Sequence, residues 1–130
     1  MSDTFGFVYS SVAGVGMGVF TVSDSNLIGS DLAGGRYRGT VSVDAATGEI
    51  DLSFEMTVPA GVFLVQGTSP QDLPYVKSET VRVPPEFNDG KPFEIFFPPA
   101  SVTLMVKRIP DEFARYSYGV VLTTHPAKWP

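Results

Sequence analysis

The stretch EIDLSFEMTV at residues 49–58 decides the fold, because its polar and apolar side chains alternate from end to end. The apolar parity comprises Ile50, Leu52, Phe54, Met56 and Val58. Successive side chains of a β-strand point to opposite faces, so the pattern predicts a strand with one buried and one wet face. A helix would scatter the same apolar positions around its whole circumference.

Several other segments have strand character, and turn residues separate them. They lie at residues 5–10, 15–22, 36–43, 75–83, 92–97 and 102–109. Thirteen Gly and eleven Pro are spread along the chain, which leaves little room for long helices. Roughly eight short strands joined by hairpins predict an all-β fold, and favour a small antiparallel up-and-down barrel over a sandwich.

The length of 130 residues indicates one domain that is large enough to bury a core. We assign residues 1–110 to the barrel and residues 111–130 to a C-terminal extension, in which residues 111–116 are compatible with one short helical turn. The hydrophobic fraction of 43% and the charged fraction of 18% are typical of a globular chain. The acidic start lacks a secretion signal, so we expect a cytoplasmic protein.

Composition argues against two classes of partner. The formal net charge is −5 and the nine basic residues are scattered, whereas nucleic-acid binding depends on clustered Lys and Arg. No window approaches the roughly 20 apolar residues that a membrane-spanning helix needs. We therefore expect neither a nucleic-acid partner nor a membrane span.

Catalytic and metal-binding constellations are missing from the sequence. His125 is the single histidine and there is no cysteine, so serine hydroxyls lack a base and a metal site would need carboxylates alone. Asp44, Glu49 and Asp51 fall on a loop and on the wet face of a strand, where we expect solvated side chains. The glycine run at residues 14–18 is followed by a strand rather than by the helix that phosphate binding requires. The sequence thus predicts no metal and no cofactor.

The inner face of the barrel is the predicted ligand site. Its apolar side chains would enclose a cavity for an apolar small molecule or lipid. The residues that we assign to this cavity are Leu52, Phe54, Met56, Tyr37, Val41 and Phe93.

Two further apolar segments suggest an interface. The run VFLV at residues 62–65 has no polar alternation, so we expect both of its faces to be covered, by the domain itself or by another subunit. In the Phe-rich strand at residues 93–97, Phe96 points opposite to Ile95 and Phe97, which puts aromatic surface on both faces. Exposed apolar strips usually mark interfaces, and we expect a homodimer here. The predicted interface residues are Phe96, Val62, Phe63 and Leu64.

The stretch NLIGSDLAGGRYRG at residues 26–39 resembles part of the GrlR-like proteins. These are small bacterial barrels named for a negative regulator of type III secretion gene expression. The family pattern is a short strand, a Gly-Gly-Asp-type turn, and Tyr-x-Gly opening the next strand. In this chain the turn would be Gly29-Ser30-Asp31 and the strand would open at Tyr37-Arg38-Gly39. Residues 6–9 and 16–19 are similar to the first two strands of the family.

The resemblance covers most of residues 5–110 and implies a lipocalin-like barrel, an apolar cavity that takes a lipid-like ligand, and a homodimer. In the founding member, an acidic run in one hairpin loop engages the transcriptional activator that it represses. The corresponding loop here, at residues 44–49, reads DAATGE and lacks that run.

Three functions are compatible with these features. The first is a non-enzymatic regulator or ligand-binding barrel that acts on a protein partner, an apolar molecule, or both. The second is a small enzyme, such as an isomerase of a lipid-like substrate, for which Glu79 is the candidate inward-facing acid. The third is a structural or assembly module. An interior volume of about 300 Å³ or more would favour a ligand, and a filled interior would favour a scaffold or a protein-binding surface.

Overall fold

The computed structural model describes residues 2–64, 67 and 69–110. They form eight strands, which confirms the prediction of an all-β fold. The strands are β1 (Ser2–Ser11), β2 (Gly14–Ser23), β3 (Asn26–Asp31), β4 (Arg36–Val43), β5 (Ile50–Val58), β6 (Tyr75–Val83), β7 (Phe93–Phe97) and β8 (Ala100–Ile109). The predicted C-terminal extension, with its short helical turn and His125, lies outside the described residues.

The strands form one antiparallel sheet in the order β6-β5-β4-β3-β2-β1-β8-β7. Chain neighbours pair through hairpins, and the additional pairing of β1 with β8 curls the sheet into an up-and-down barrel. The barrel is nearly closed, because β6 and β7 contact each other without forming a ladder among the described residues. Lys77 crosses this seam and donates a hydrogen bond to the Pro98 carbonyl at 2.8 Å.

The alternation at residues 49–58 determines which face of β5 is buried. Met56 and Val58 are almost fully buried, whereas their neighbours on the other parity, Glu55 and Thr57, are exposed. Aromatic rings from β1 and β2 fill the opposite wall, and the Phe5 and Phe20 rings stack with centroids 5.0 Å apart. The interior is therefore a packed apolar core.

Glycines on β2 make room for these rings. Gly16 and Gly18 lie directly across the ladder from Tyr9 and Phe7. A Cβ at Gly18 would lie 2.8 Å from the Phe7 ring, closer than packed atoms approach. Because Gly16 and Gly18 occupy the inward parity in the first half of β2, the larger side chains there, Val15 and Met17, lie on the outward parity and are exposed.

The position of one turn differs from the sequence prediction. Gly29, Ser30 and Asp31 lie in β3 and are not a turn, so that prediction is wrong. The turn follows at residues 32–35, because the Asp31 carboxylate accepts hydrogen bonds from the backbone N–H groups of Ala33 and Gly35. A side chain that caps the N–H groups two and four residues ahead places the reversal after itself.

The apolar segment after β5 is only partly covered by the described residues, and its coverage by another subunit stays a prediction. Residues 62–64 lie outside the strands, with Leu64 buried and Phe63 51% exposed. Leu64 packs on Met56 and Val58 at one end of the barrel. The segment therefore covers this barrel end with Leu64 and leaves the preceding side chain, Phe63, exposed to solvent.

Gly39 provides a test of how tightly the sheet is coiled. An added Cβ there would lie 2.5 Å from the Phe54 Cα and would also meet the Ser53 carbonyl oxygen, both of them backbone atoms that cannot move aside. We expect Gly39→Ala to lower the free energy of unfolding by about 1–3 kcal/mol in urea denaturation. Gly6→Ala is the matched control, because its Cβ meets only the Ile109 side chain at 3.6 Å. Equal stability of the two variants would contradict the close approach of β4 and β5.

Candidate functional site

The barrel interior encloses about 80 Å³ of free volume, and its walls are almost entirely apolar. Three of the predicted cavity residues, Tyr37, Leu52 and Phe54, line it. Val41 and Phe93 instead pack against the surrounding core clusters, and Met56 lies in the cluster at the barrel end. A volume of this size is well below the roughly 300 Å³ of typical ligand pockets. The interior is filled by the protein's own side chains.

A larger pocket of about 360 Å³, which we call the end pocket, opens at one end of the barrel. It lies between β2, the turn at residues 32–35 and the segment after β5. Its walls combine one carboxylate and one phenol with apolar side chains. The residues that define it are Tyr9, Asp31, Met17, Met56, Phe63 and Leu64.

Asp31 is the polar centre of the end pocket. It is only 8% exposed, and its Oδ1 accepts hydrogen bonds from the backbone N–H groups of Ala33 at 3.0 Å and Gly35 at 2.8 Å. Its Oδ2 accepts hydrogen bonds from the hydroxyls of Tyr9, at 3.3 Å, and Tyr37. Within the described part of the chain, no Lys or Arg forms an ion pair with this carboxylate.

The two tyrosines remain protonated well beyond neutral pH. Burial and the Asp31 charge raise the pKa of the Tyr9 hydroxyl to about 12. The same two causes hold the pKa of Tyr37 well above its ordinary value of 10.0. Both hydroxyls therefore keep their protons at neutral pH and donate hydrogen bonds to the Asp31 carboxylate.

An apolar row crosses the outer surface of the barrel. The register places Val8 beside both Met17 and Met105, and Leu32 donates its backbone N–H to the Met17 carbonyl oxygen. We call these four side chains the outer row. Met17, Leu32 and Met105 are exposed, so three strands and a turn together present apolar surface to solvent.

The predicted interface residues are divided between surface and core. Phe96 is 65% exposed on the outer face of β7, and Phe63 is exposed beside the end pocket. Val62 is half-buried, and Leu64 is buried in the barrel-end cluster. Phe97 packs against that same cluster, so both predicted interface segments lie at one end of the barrel.

The carboxylates considered at the sequence level are held by cations of this chain. Asp44, Glu49 and Asp51 all form ion pairs with Arg82. A hydrogen bond from the Ala46 N–H, and then Arg82, hold the pKa of Asp44 below its ordinary value, and Arg82 does the same for Asp51. Within residues 2–64, 67 and 69–110, no group of three or more acidic or histidine side chains is placed to hold a metal ion.

Glu79, the acid considered for an enzyme, is buried and points inward. It lies opposite Phe54 on the β5 ladder and forms an ion pair with Lys77, which shares its parity on β6. The pair lies beside the seam between β6 and β7, because the Lys77 ammonium also reaches Pro98. Glu79 is thus paired with a cation inside its own strand.

Sequence reasoning missed Asp31, Tyr9 and the outer row. An aspartate followed at short range by Gly34-Gly35 is a recognisable turn signal, and it predicts a carboxylate that caps backbone N–H groups. The outer row is recognisable from β2, where glycines occupy one parity and Val15, Met17 and Val19 the other. Neither signal identifies the partners of Asp31, because Tyr9 is 22 residues away along the chain.

Comparisons with protein-family models, with curated proteins and with solved structures return no match for this chain. The barrel architecture therefore rests on the eight strands and their register. The described residues include no helix that is long and apolar enough to cross a membrane.

The Asp31 hydrogen bonds can be tested through Tyr37. We expect Tyr37→Phe to lower the free energy of unfolding by about 1–3 kcal/mol, because the variant removes a donor from a buried carboxylate. Tyr75→Phe is the matched control, since the buried Tyr75 hydroxyl has no hydrogen-bond partner among the described residues, and we expect its loss to be neutral or stabilising. Chemical denaturation of both variants measures the difference, and a Tyr37→Phe variant as stable as Tyr75→Phe would contradict the arrangement.

The raised pKa of Tyr9 predicts a loss of stability at alkaline pH. The pKa of a tyrosine is 10.0 in the unfolded chain and that of Tyr9 is about 12 in the folded protein, so the unfolded state releases its proton first. The stabilisation is complete below pH 10 and is lost as the pH rises from 10 to about 12. Unfolding curves at pH 8, 10 and 11.5 measure this loss.

Tyr9→Phe is the control for that series, because it removes the titrating group. We expect the stability of this variant to fall less steeply than that of the wild type above pH 10. Identical slopes for the two proteins would show that Tyr9 does not titrate with a raised pKa.

Proposed function

We propose that this chain is a non-enzymatic regulatory barrel of the GrlR-like kind, which acts through protein–protein contacts and forms a homodimer. The observation that carries the proposal is the distribution of apolar surface. The interior leaves about 80 Å³ free, while large apolar side chains face solvent on the outside. In such a barrel, the apolar surface available to a partner lies on the outside and not in the interior.

The filled interior supports protein contacts over transport of a lipid-like molecule. Rings of Phe7, Phe54 and Tyr37 meet across the barrel, with the Tyr37 and Phe54 centroids 5.7 Å apart. A ligand would have to displace these contacts, and displacement of packed aromatic rings forfeits dispersion and burial together. The lipid-like ligand that the family resemblance implies is therefore not part of this proposal.

The occupant that we propose for the Phe96 surface is a second copy of the chain. A symmetric dimer uses the same patch on both subunits, so each exposed ring contributes twice. Burial of a Phe side chain is worth about 1.5–3 kcal/mol. The net charge of −5 opposes association over most of the surface, which favours contact at apolar positions such as Phe96 and Phe63.

The contact with a regulated partner, for which the resemblance implies a transcriptional activator, would lie elsewhere than on the hairpin loop at residues 44–49. Both acids of that loop, Asp44 and Glu49, are paired with Arg82. An Arg held by three carboxylates leaves the loop with less free negative charge than an acidic run would carry. The outer row is an exposed apolar surface that we assign to a protein partner instead.

The dimer is tested by light scattering coupled to size-exclusion chromatography across a concentration series. We expect the wild type to be dimeric, and Phe96→Ser to shift the equilibrium to monomer by about tenfold or more in dissociation constant. Val43→Ser is the matched control, because Val43 is equally exposed on β4 and lies far from β7 in the sheet order. A monomeric wild type, or equal effects of both variants, would contradict the dimer.

Native mass spectrometry of the same sample tests the filled interior. We expect the mass of the bare polypeptide, alone or doubled. A lipid-like molecule that remains bound to the wild type would overturn the assignment of function to the outer surface and favour the carrier that the family resemblance implies.

A further inference from the structure

The end pocket contains a negative charge that the described residues do not neutralise with a cation. Asp31 is more than nine-tenths buried, and the ion pairs that Lys77, Arg82 and Arg108 form with other described residues go to other carboxylates. Burial of an unpaired charge is costly, and Asp31 tolerates it because four hydrogen bonds reach its two oxygens. These hydrogen bonds stabilise the carboxylate, but its formal charge remains.

The hydrogen bonds also decide what the end pocket offers to a ligand. Both Asp31 oxygens are already in use, because the Tyr9 and Tyr37 hydroxyls both donate hydrogen bonds to this carboxylate. A phenol that donates its proton to a carboxylate can offer a further partner only its oxygen, as an acceptor. Tyr9 lines the end pocket, so the polar group that faces a ligand there accepts hydrogen bonds and lies next to a negative charge. An anion would be repelled and a neutral acceptor would find no donor.

The rest of the end pocket is apolar. Met17, Met56, Phe63 and Leu64 form its walls, and its volume of about 360 Å³ is within the range of small-molecule sites. Met side chains adapt to ligands of irregular shape. The pocket therefore matches a molecule with a short hydrocarbon body and one polar head.

We propose that the end pocket binds the ammonium group of a small amphipathic amine, with the ammonium at the Tyr9 oxygen beside Asp31 and the hydrocarbon body against Met17, Met56 and Leu64. The ammonium donates a hydrogen bond and supplies the positive charge that the described Lys and Arg residues do not bring to Asp31. Phe63 belongs both to the end pocket and to the apolar surface of the proposed dimer, whereas Phe96 does not line the pocket. The dimer is tested at Phe96 and the amine site at Tyr9 and Asp31, so either proposal can fail without the other. A lysine side chain presents the same chemical group, so a free amine and the lysine of a bound peptide are the two possible sources.

The test uses the full chain and four probes of similar size. Methyl NMR of Met and Leu, with calorimetry, follows titration with n-hexylamine at pH 7, with 1-hexanol, with hexanoate, and with Nα-acetyl-lysine methylamide. We expect saturable shifts of the Met17, Met56 and Leu64 methyls with hexylamine, and none at the same concentration with hexanol or hexanoate. Equal binding of hexylamine and hexanol would show an apolar pocket only, and would overturn the proposal.

The fourth probe distinguishes the two sources of the ammonium group. Binding of the lysine amide at least as tight as that of hexylamine supports the site and assigns it to a protein side chain. Binding of hexylamine alone supports the site and assigns it to a free amine. If neither compound binds, the proposal is overturned.

Variants separate the charge from the pocket. We expect Asp31→Asn to weaken hexylamine binding by about tenfold or more, because the hydrogen bond then lacks its charge partner. Tyr9→Phe removes the accepting oxygen and keeps the carboxylate, so it tests the site even where Asp31→Asn fails to fold. Tyr75→Phe is the control, since the Tyr75 hydroxyl makes no hydrogen bond within the part of the chain that the structure describes, and Tyr75 does not line the end pocket. Unchanged hexylamine affinity in a folded Tyr9→Phe variant would contradict the geometry.

Discussion

The Asp31 carboxylate holds together one end of the barrel, and several separate elements depend on it. It ends β3, caps the backbone of the turn that leads into β4, and accepts hydroxyl hydrogen bonds from Tyr9 on β1 and Tyr37 on β4. No apolar side chain can replace a group that accepts from a turn and from two strands at once. Because a buried charge must keep all of its hydrogen bonds, each of these elements is fixed relative to the others.

Glycine and aromatic residues set the size of the interior. In the first half of β2 the inward positions are glycines, and the rings of β1 occupy the volume that side chains would otherwise take there. The barrel wall is thus thin where the rings are large, and the free volume at the centre is small. Met17 lies on the opposite, outward parity of β2, next to Val8 and Met105. The alternation of β2 therefore both leaves room for the rings inside and exposes apolar surface outside.

The sequence was most informative where one face of a strand is wet and the other is buried. The alternation around Phe54 predicts strand, inward face and antiparallel partner strands, and all of these are found. Prediction failed where a side chain bonds to the backbone, as at Asp31, because a turn at Gly29 and a turn at Gly34 have similar composition. At the apolar segment after β5 the sequence left open whether the domain or another subunit covers it, because that depends on which part of the barrel end a short irregular segment reaches.

The end pocket could not be predicted because its polar groups come from distant strands. In the sequence, Tyr9 is one of several aromatic residues in an apolar alternation, and the pattern around Asp31 predicts a turn residue. Only the register of β1 on β2 and of β2 on β3 brings them together. Apolar and polar groups are therefore separated within one small barrel, with the polar groups at its end. The centre is apolar and filled, so the buried Asp31 charge lies at the barrel end, beside the end pocket. The proposed amine would reach this charge from the end pocket, without displacing the aromatic rings at the centre of the barrel.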